Sequence, residues 1–213
     1  MASPGVQAAE NSKKRGREEE APPAQPKHST FTLSRITKEL RDAKSRNLRE
    51  ELNMEVELVD DADVTRWRIK WFYDHASKPD ATETQRRLAE QLAERKLEFI
   101  EFRMVFPVDY PGEAPFFYNH YPHLKGCYVF THGGICAEAL STKHGWSPAQ
   151  RAYVVANAVR GLLEAEGCRL KSENEYSCKR AMLVPNDEEN AARDKSAIEI
   201  FHSSGWHGSK GRS

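Results

Sequence analysis

The chain has 213 residues, with 32 basic and 32 acidic side chains, so its formal charge is zero. That length suits one domain of ordinary size plus tails, and the charge balance argues against a general nucleic-acid binder, which carries a basic excess. No apolar run is long enough for a membrane-spanning helix, and the N-terminus lacks the apolar core of a signal peptide. The four cysteines (Cys127, Cys136, Cys168, Cys178) do not have CxxC spacing. They read as reduced thiols of an intracellular protein, cytoplasmic or nuclear, with no metal or cofactor implied.

Residues 1–29 hold four of the eleven prolines, the basic cluster Lys13-Lys14-Arg15-Gly16-Arg17 and the run Glu18-Glu19-Glu20. Such a segment has little with which to build a core and is expected to be a disordered tail. Its basic cluster fits either a nuclear-import signal or a solvated face. Order is expected from Thr30. Leu33, Ile36, Leu40 and Ala43 recur at helical spacing among Arg35, Lys38, Glu39, Arg41 and Lys44, which predicts an amphipathic helix. Period two follows: Met54, Val56 and Leu58, then Trp67, Ile69, Trp71 and Tyr73, joined at Asp60–Asp63. These are two antiparallel strands with one face buried. The charged stretch 74–96, with Leu88 one turn before Leu92 and Thr82 and Gln85 spaced as a capping box, predicts a solvent-exposed helical insertion.

The next strand is read at Leu97–Phe106, with Ile100, Phe102, Met104 and Phe106 on one face. A proline-punctuated corner follows to Pro115, and Phe116–Tyr121 supplies a short fourth strand. In Gly126–Ala149, Gly133 and Gly134 place Ile135 and Cys136 at the end of a tight turn. Ser147, Pro148 and Gln150 have the spacing of a helix start. Val154, Val155, Ala158, Val159, Leu162 and Leu163 line one face of that helix, and Gly167 stops it. A last helix is expected after Pro185, with Asn186 and Glu189 as its capping pair. It carries Ala191, Ile198 and Phe201 and ends at Gly205, before Trp206.

Three pieces in this order, Phe106-Pro107…Tyr110-Pro111…Pro115, Gly134-Ile135-Cys136 and Trp146-Ser147-Pro148-Ala149, resemble the ubiquitin-conjugating enzyme family. The resemblance covers Phe31 to Trp206. It implies an α+β fold: an N-terminal helix, a four-stranded antiparallel meander, an active-site cysteine loop and C-terminal helices. The organisation implied is a tail at 1–29, a catalytic domain at 30–206 and a flexible tail at 207–213. The family's usual His-Pro-Asn is absent, and Tyr128 stands at the asparagine position. Gly-x-Tyr-Val, Gly-Gly-Ile-Cys, Gly-Trp-Ser and the C-terminal Ile200-Phe201-His202…Gly205-Trp206 look like the family's Q subfamily.

The resemblance implies a carrier that accepts ubiquitin or a ubiquitin-like modifier from an activating enzyme, in an ATP-dependent pathway. The modifier then passes to a protein substrate, with a ligase as a further partner. Cys136 is the candidate nucleophile, since a thiolate forms a thioester that reacts readily with amines. Tyr128 is the candidate oxyanion donor. His202 is a candidate to orient Tyr128 or accept a proton and Trp206 to fix that histidine or pack over it; the two equally fit a helix-end histidine and an anchoring tryptophan. His120, His123, His132 and His144 read as polar loop residues, with His132 nearest the cysteine. Phe106, Pro107, Trp146 and Pro148 fall where the family docks ligases and equally fit corner packing; Arg35 and Lys38 fall where it meets the activating enzyme and equally fit a solvated face. Two other classes compete. One is a non-catalytic ubiquitin-binding adaptor, whose members usually lack the cysteine. The other is a cysteine hydrolase, for which no Cys–His–Asn/Asp spacing is present.

Overall fold

The first helical pattern folds as α1 (Thr30–Ser45), with Ile36, Leu40 and Ala43 buried. The computed structural model describes residues 27–137, 140, 145–176 and 188–203; most of the N-terminal tail, Asn186, the predicted helix end at Gly205, and Trp206 lie outside them. Ser29 caps α1 by accepting the Thr32 N–H at 3.0 Å, and the ring of His28 donates to the Phe106 carbonyl at 2.9 Å.

After a short helix α2 (Leu48–Leu52), not anticipated from the sequence, four strands follow: β1 (Met54–Asp60), β2 (Asp63–Phe72), β3 (Phe99–Val105) and β4 (Phe116–Tyr121). They form one antiparallel sheet in the order β1-β2-β3-β4. The register pairs Val56 with Ile69, Ile69 with Phe102, and Met104 with Phe117. Opposed residues share a face, so these apolar positions stack into one buried layer, as period two predicts. Trp67, Ile69, Ile100, Phe102 and Met104 are all fully buried there, beneath α1 and α4 (Ala152–Ala165). The opposite face of the sheet is charged: Lys70 pairs with Glu57 at 2.9 Å, and Glu101 with Arg103 at 2.6 Å.

Three expectations need correction. The charged stretch is α3 (Glu83–Glu94), with the predicted Thr82–Gln85 capping box, but it is not a solvent-exposed insertion. Leu88 and Leu92 enter the main core, and Arg87 donates to the carbonyls of Gly167 and Cys168 at 2.7 and 3.0 Å. Ser147 and Gln150 close a separate turn, Gln150 N–H to Ser147 O at 2.9 Å, and α4 starts only at Ala152. The buried face of α4 is also rotated from the predicted one. Val154 is 48% exposed, whereas Ala152, Tyr153, Ala156 and Arg160 face inward.

The late start of α4 has a cause far off in sequence. Glu39 of α1 is almost fully buried, and its carboxylate accepts the first helical N–H, that of Ala152, at 2.8 Å. The same carboxylate accepts from the Tyr110 hydroxyl and from Arg35 Nε, both at 2.6 Å. A negative charge at a helix N-terminus meets unpaired N–H groups and the positive end of the dipole. One side chain thus ties α1, the proline corner and α4 together. Glu39→Gln keeps the volume but removes the charge and turns an NH₂ toward three donors. It is expected to lower unfolding free energy by about 2–3 kcal/mol, read from urea unfolding. A change below about 0.5 kcal/mol would show that the carboxylate does not bear this role.

Candidate functional site

The cysteine segment is built onto the free edge of β4. Phe117 O accepts the Ile135 N–H at 3.0 Å, and Asn119 N–H donates to Gly133 O at 2.9 Å. The chain also folds on itself as a narrow hairpin, Tyr128–Cys136. Val129 bridges Ile135, Phe130 N–H donates to Gly134 O at 2.9 Å, and Cys136 N–H donates to Tyr128 O at 2.9 Å. Gly133 N–H closes the turn on Phe130 O at 2.8 Å. Gly133 has φ +91°, and a Cβ there would lie 2.6 Å from Asn119 O and 2.7 Å from the Arg193 guanidinium. Only glycine fits that turn.

The alternation of an extended chain then fixes the cysteine. Ile135 is fully buried, so Cys136, one residue on, faces the other way and is exposed. Tyr128 lies opposite Cys136 across the hairpin. Opposed residues in an antiparallel pair share a face with Cβ atoms about 5 Å apart, and Tyr128 is half-buried against the core edge. The structure therefore brings these two sequence-predicted residues together. Among the other described thiols, Cys127 is exposed in the preceding turn. Cys168 is buried, and its thiol is pushed up to about 12 by burial, then by Glu164.

The last helix, α5 (Glu188–Ser203), lies on the outer side of β4. Its inward face is Asn190, Arg193, Ala197 and Phe201, not the predicted Ala191. Phe201 stacks on Phe116 at 5.2 Å, and the Phe116 ring edge lies 3.5 Å from where a Cβ at Gly134 would stand. The helix end thus comes to the side of the sheet on which the cysteine segment is held. His202 follows Phe201 in the last turn, its side chain outside what is described.

Arg193 was not anticipated. It is 9% exposed, and its guanidinium donates to Asn119 O at 2.7 Å, His120 O at 3.2 Å and Thr131 O at 3.2 Å. The pattern offered no signal for it, because a buried arginine breaks the apolar periodicity that marks an inward face. His132 stacks on Phe130 at 5.4 Å, and its Nε2 has no hydrogen-bond partner among the described residues. Burial first, then Arg193, holds its pKa below the usual value. His120 sits 2.7 Å from the Asp194 carboxylate.

The candidate docking residues are placed differently from expectation. Phe106 is 1% exposed, edge-on to both Trp67 and Tyr110 at 4.7 Å. Pro107 is buried, and so is Trp146, whose indole N–H donates to Pro111 O at 2.8 Å. These three are corner packing, while Pro148 is exposed. Arg35 is engaged with Glu39 and with the carbonyls of Pro148 and Gln150 at 3.1 and 3.2 Å; Lys38 is exposed.

The chain matches no protein-family model. It is 31% identical over 157 residues to the human Q-like ubiquitin-conjugating enzyme protein 1, covering 71% of this chain and 85% of that one. The mouse protein of the same name is 30% identical, with the same coverage. A Q-like ubiquitin-conjugating enzyme protein of Drosophila melanogaster is 30% identical over 164 residues, and there the chain spans only 50% of the relative's length. Among solved structures, human ubiquitin-conjugating enzyme E2 G1 aligns with TM-score 0.47 and 18% identity over 64% of this chain and 96% of that one. A putative ubiquitin conjugating enzyme from Plasmodium yoelii aligns with TM-score 0.46 and 15% identity over 81% and 94%. On the human and mouse relatives, covered over 85% of their length, the chain is of the ubiquitin-conjugating class. Within that class, the chain belongs to the Q-like family, as the sequence motifs implied.

His123 lies fully buried beneath α5, stacked on Tyr176 at 4.9 Å. Burial first, then the Arg193 and Lys171 cations, pushes its pKa down to about 2. The unfolded chain takes up this proton near the ordinary value of about 6.5. Between the two values the unfolded state binds more protons, so stability falls as pH drops. Going from about pH 7 to 5 is expected to remove ~2 kcal/mol through this residue. His123→Phe, which keeps the stacking, should remove that part of the slope in urea unfolding across pH. The smaller effects of His75 and His132, both held low by burial, remain. An unchanged slope in His123→Phe would contradict the assignment.

Proposed function

We propose that this protein accepts ubiquitin or a ubiquitin-like modifier from an activating enzyme as a thioester on Cys136 and passes it to a lysine or hydroxyl acceptor. The observation that carries this is the placement of Cys136: its backbone is tied by a ladder hydrogen bond while its side chain faces solvent. A thioester carrier needs a thiolate that is reachable and held at a fixed spot. A non-catalytic adaptor has no use for such a thiol.

Loading forms the S–C bond at Cys136 Sγ and displaces the activating enzyme's thiolate. In discharge the acceptor nitrogen or oxygen attacks the thioester carbon and its proton leaves to a base. The carbonyl oxygen carries the negative charge until the C–S bond breaks and returns Cys136 to a thiolate. Tyr128 donates its hydroxyl hydrogen to that oxyanion from the opposite hairpin arm. A donor so placed is worth on the order of 3–4 kcal/mol. His202 is assigned the base and Trp206 its orientation. A hydroxyl acceptor has the higher pKa and depends on the base more. For partners, the exposed Lys38 on α1 is proposed to meet the activating enzyme, and the exposed Pro148 turn a ligase.

Cys136→Ala should abolish a thiol-sensitive adduct in the presence of activating enzyme, ATP and ubiquitin, and Cys136→Ser should trap a stable ester. Charging that survives Cys136→Ala but not Cys127→Ala would overturn the assignment. Tyr128→Phe keeps the ring and removes only the donor. Discharge from pre-charged Tyr128→Phe to free lysine should slow by roughly 100-fold to 1,000-fold; the wild-type rate would return Tyr128 to a packing role.

A further inference from the structure

A hydrogen bond missing from the β4 edge leads to Arg193. In an antiparallel ladder a hydrogen-bonded pair exchanges two bonds. Asn119 and Gly133 make one of them, Asn119 N–H to Gly133 O at 2.9 Å. The reciprocal bond is not made, because Gly133 N–H is turned back onto Phe130 O at 2.8 Å. Asn119 O is left without its ladder donor at the point where the chain swings into the cysteine hairpin. Arg193 Nη1 supplies a donor there at 2.7 Å, and Nε reaches across to Thr131 O in the hairpin turn at 3.2 Å. The guanidinium also fills the space that a Cβ at Gly133 would need. One planar fork therefore joins β4, the hairpin turn and α5. A lysine's single ammonium lacks the geometry to serve carbonyls in two directions at once.

We propose that Arg193 is a positioning residue for the thioester chemistry, fixing the tilt of the hairpin that carries Cys136 and Tyr128 against β4. The proposal rests on the thioester function assigned to Cys136. It gives α5 a role in the reaction beyond covering β4: through Arg193 the helix completes the wall from which the cysteine projects. The cysteine lies three residues from Gly133, whose turn the guanidinium supports. A shift of about 1 Å in a reacting group can lower a rate on the order of 100-fold. The main core does not need this contact. Among the described residues it contains none from α5, and Ala197 and Phe201 belong to a separate cluster with Val105, Phe116 and Tyr118. Variants of Arg193 are therefore expected to fold.

The test is single-turnover discharge of the pre-charged full chain to free lysine, with rates taken per charged molecule. Arg193→Ala should lower the saturating rate about 10-fold to 100-fold and leave the half-saturating lysine concentration unchanged. Guanidinium chloride, far below denaturing concentrations, should restore part of the Arg193→Ala rate. It should not accelerate the wild type or Phe201→Ala, in which the helix anchor is lost elsewhere. A wild-type rate in Arg193→Ala overturns the proposal. So does a loss that guanidinium fails to rescue and that tracks the melting temperature across variants. If the wild type itself never charges, the thioester function fails first, an outcome separate from either.

Discussion

The site depends on how the free edge of β4 is closed. An edge strand leaves a row of N–H and C=O groups without partners. Here the chain returns after β5 (Leu124–Lys125) and lays Gly133–Ile135 along that edge, satisfying Phe117 O and Asn119 N–H. Pairing on both of its sides fixes which residues of the returning segment face the core. Ile135 takes the inward position, and Cys136 consequently takes the outward one. Asn119 is the hub of this junction. Its backbone holds Gly133, its side-chain oxygen accepts Leu124 N–H at 2.7 Å, and its amide donates to Pro122 O at 2.9 Å. The same buried residue of β4 thus braces the turn toward β5 and receives the cysteine segment.

Behind that edge, two buried charged side chains make the scaffold stiff. Glu39 gathers α1, the proline corner and the start of α4. Arg160 of α4 does the same at the other end, donating to Leu52 O at 2.8 Å and Phe72 O at 3.3 Å and pairing with Glu164 at 2.7 Å. Its guanidinium also lies over the Tyr73 ring at 4.8 Å. A buried charge is tolerated only when its hydrogen-bonding groups are filled, and both residues meet that condition by gathering polar groups from several elements. The result is a helix fixed at two points across the sheet. Against it a short, two-hydrogen-bond attachment on β4 is enough to hold the Cys136 segment in place while leaving its thiol open.

The strands were legible because one face is buried, which imposes period two on Trp67, Ile69 and Trp71 and on Ile100, Phe102 and Met104. The helix α3 was legible as a helix through its capping box, yet not as a core element. Only Leu88 and Leu92 face inward, and the charged residues around them dominate its character. The start of α4 was misread because the residue that satisfies its first N–H is Glu39, more than a hundred positions away. Cys136 stood out by residue type and glycine context, and Tyr128 only through the resemblance, which sets it at the family's asparagine position. Their opposition across the hairpin depends on where the turn closes, on the Phe130–Gly133 bond, and no composition rule gives that. At the proline corner, of the two readings the sequence left open, the structure shows the packing one for Phe106 and Trp146. Phe106 and Trp146 are the large aromatics that fill the space under the proline corner, so burial claims them first.

The most direct test of the central claim is where a modifier attaches. The full chain would be incubated with activating enzyme, ATP and ubiquitin, and the adduct mapped by mass spectrometry on peptides prepared without reductant. One ubiquitin per chain is expected on the peptide containing Cys136, released by a thiol reductant. An adduct on Cys127, a reductant-resistant adduct on a lysine with none on Cys136, or no adduct in the presence of active activating enzyme would contradict it.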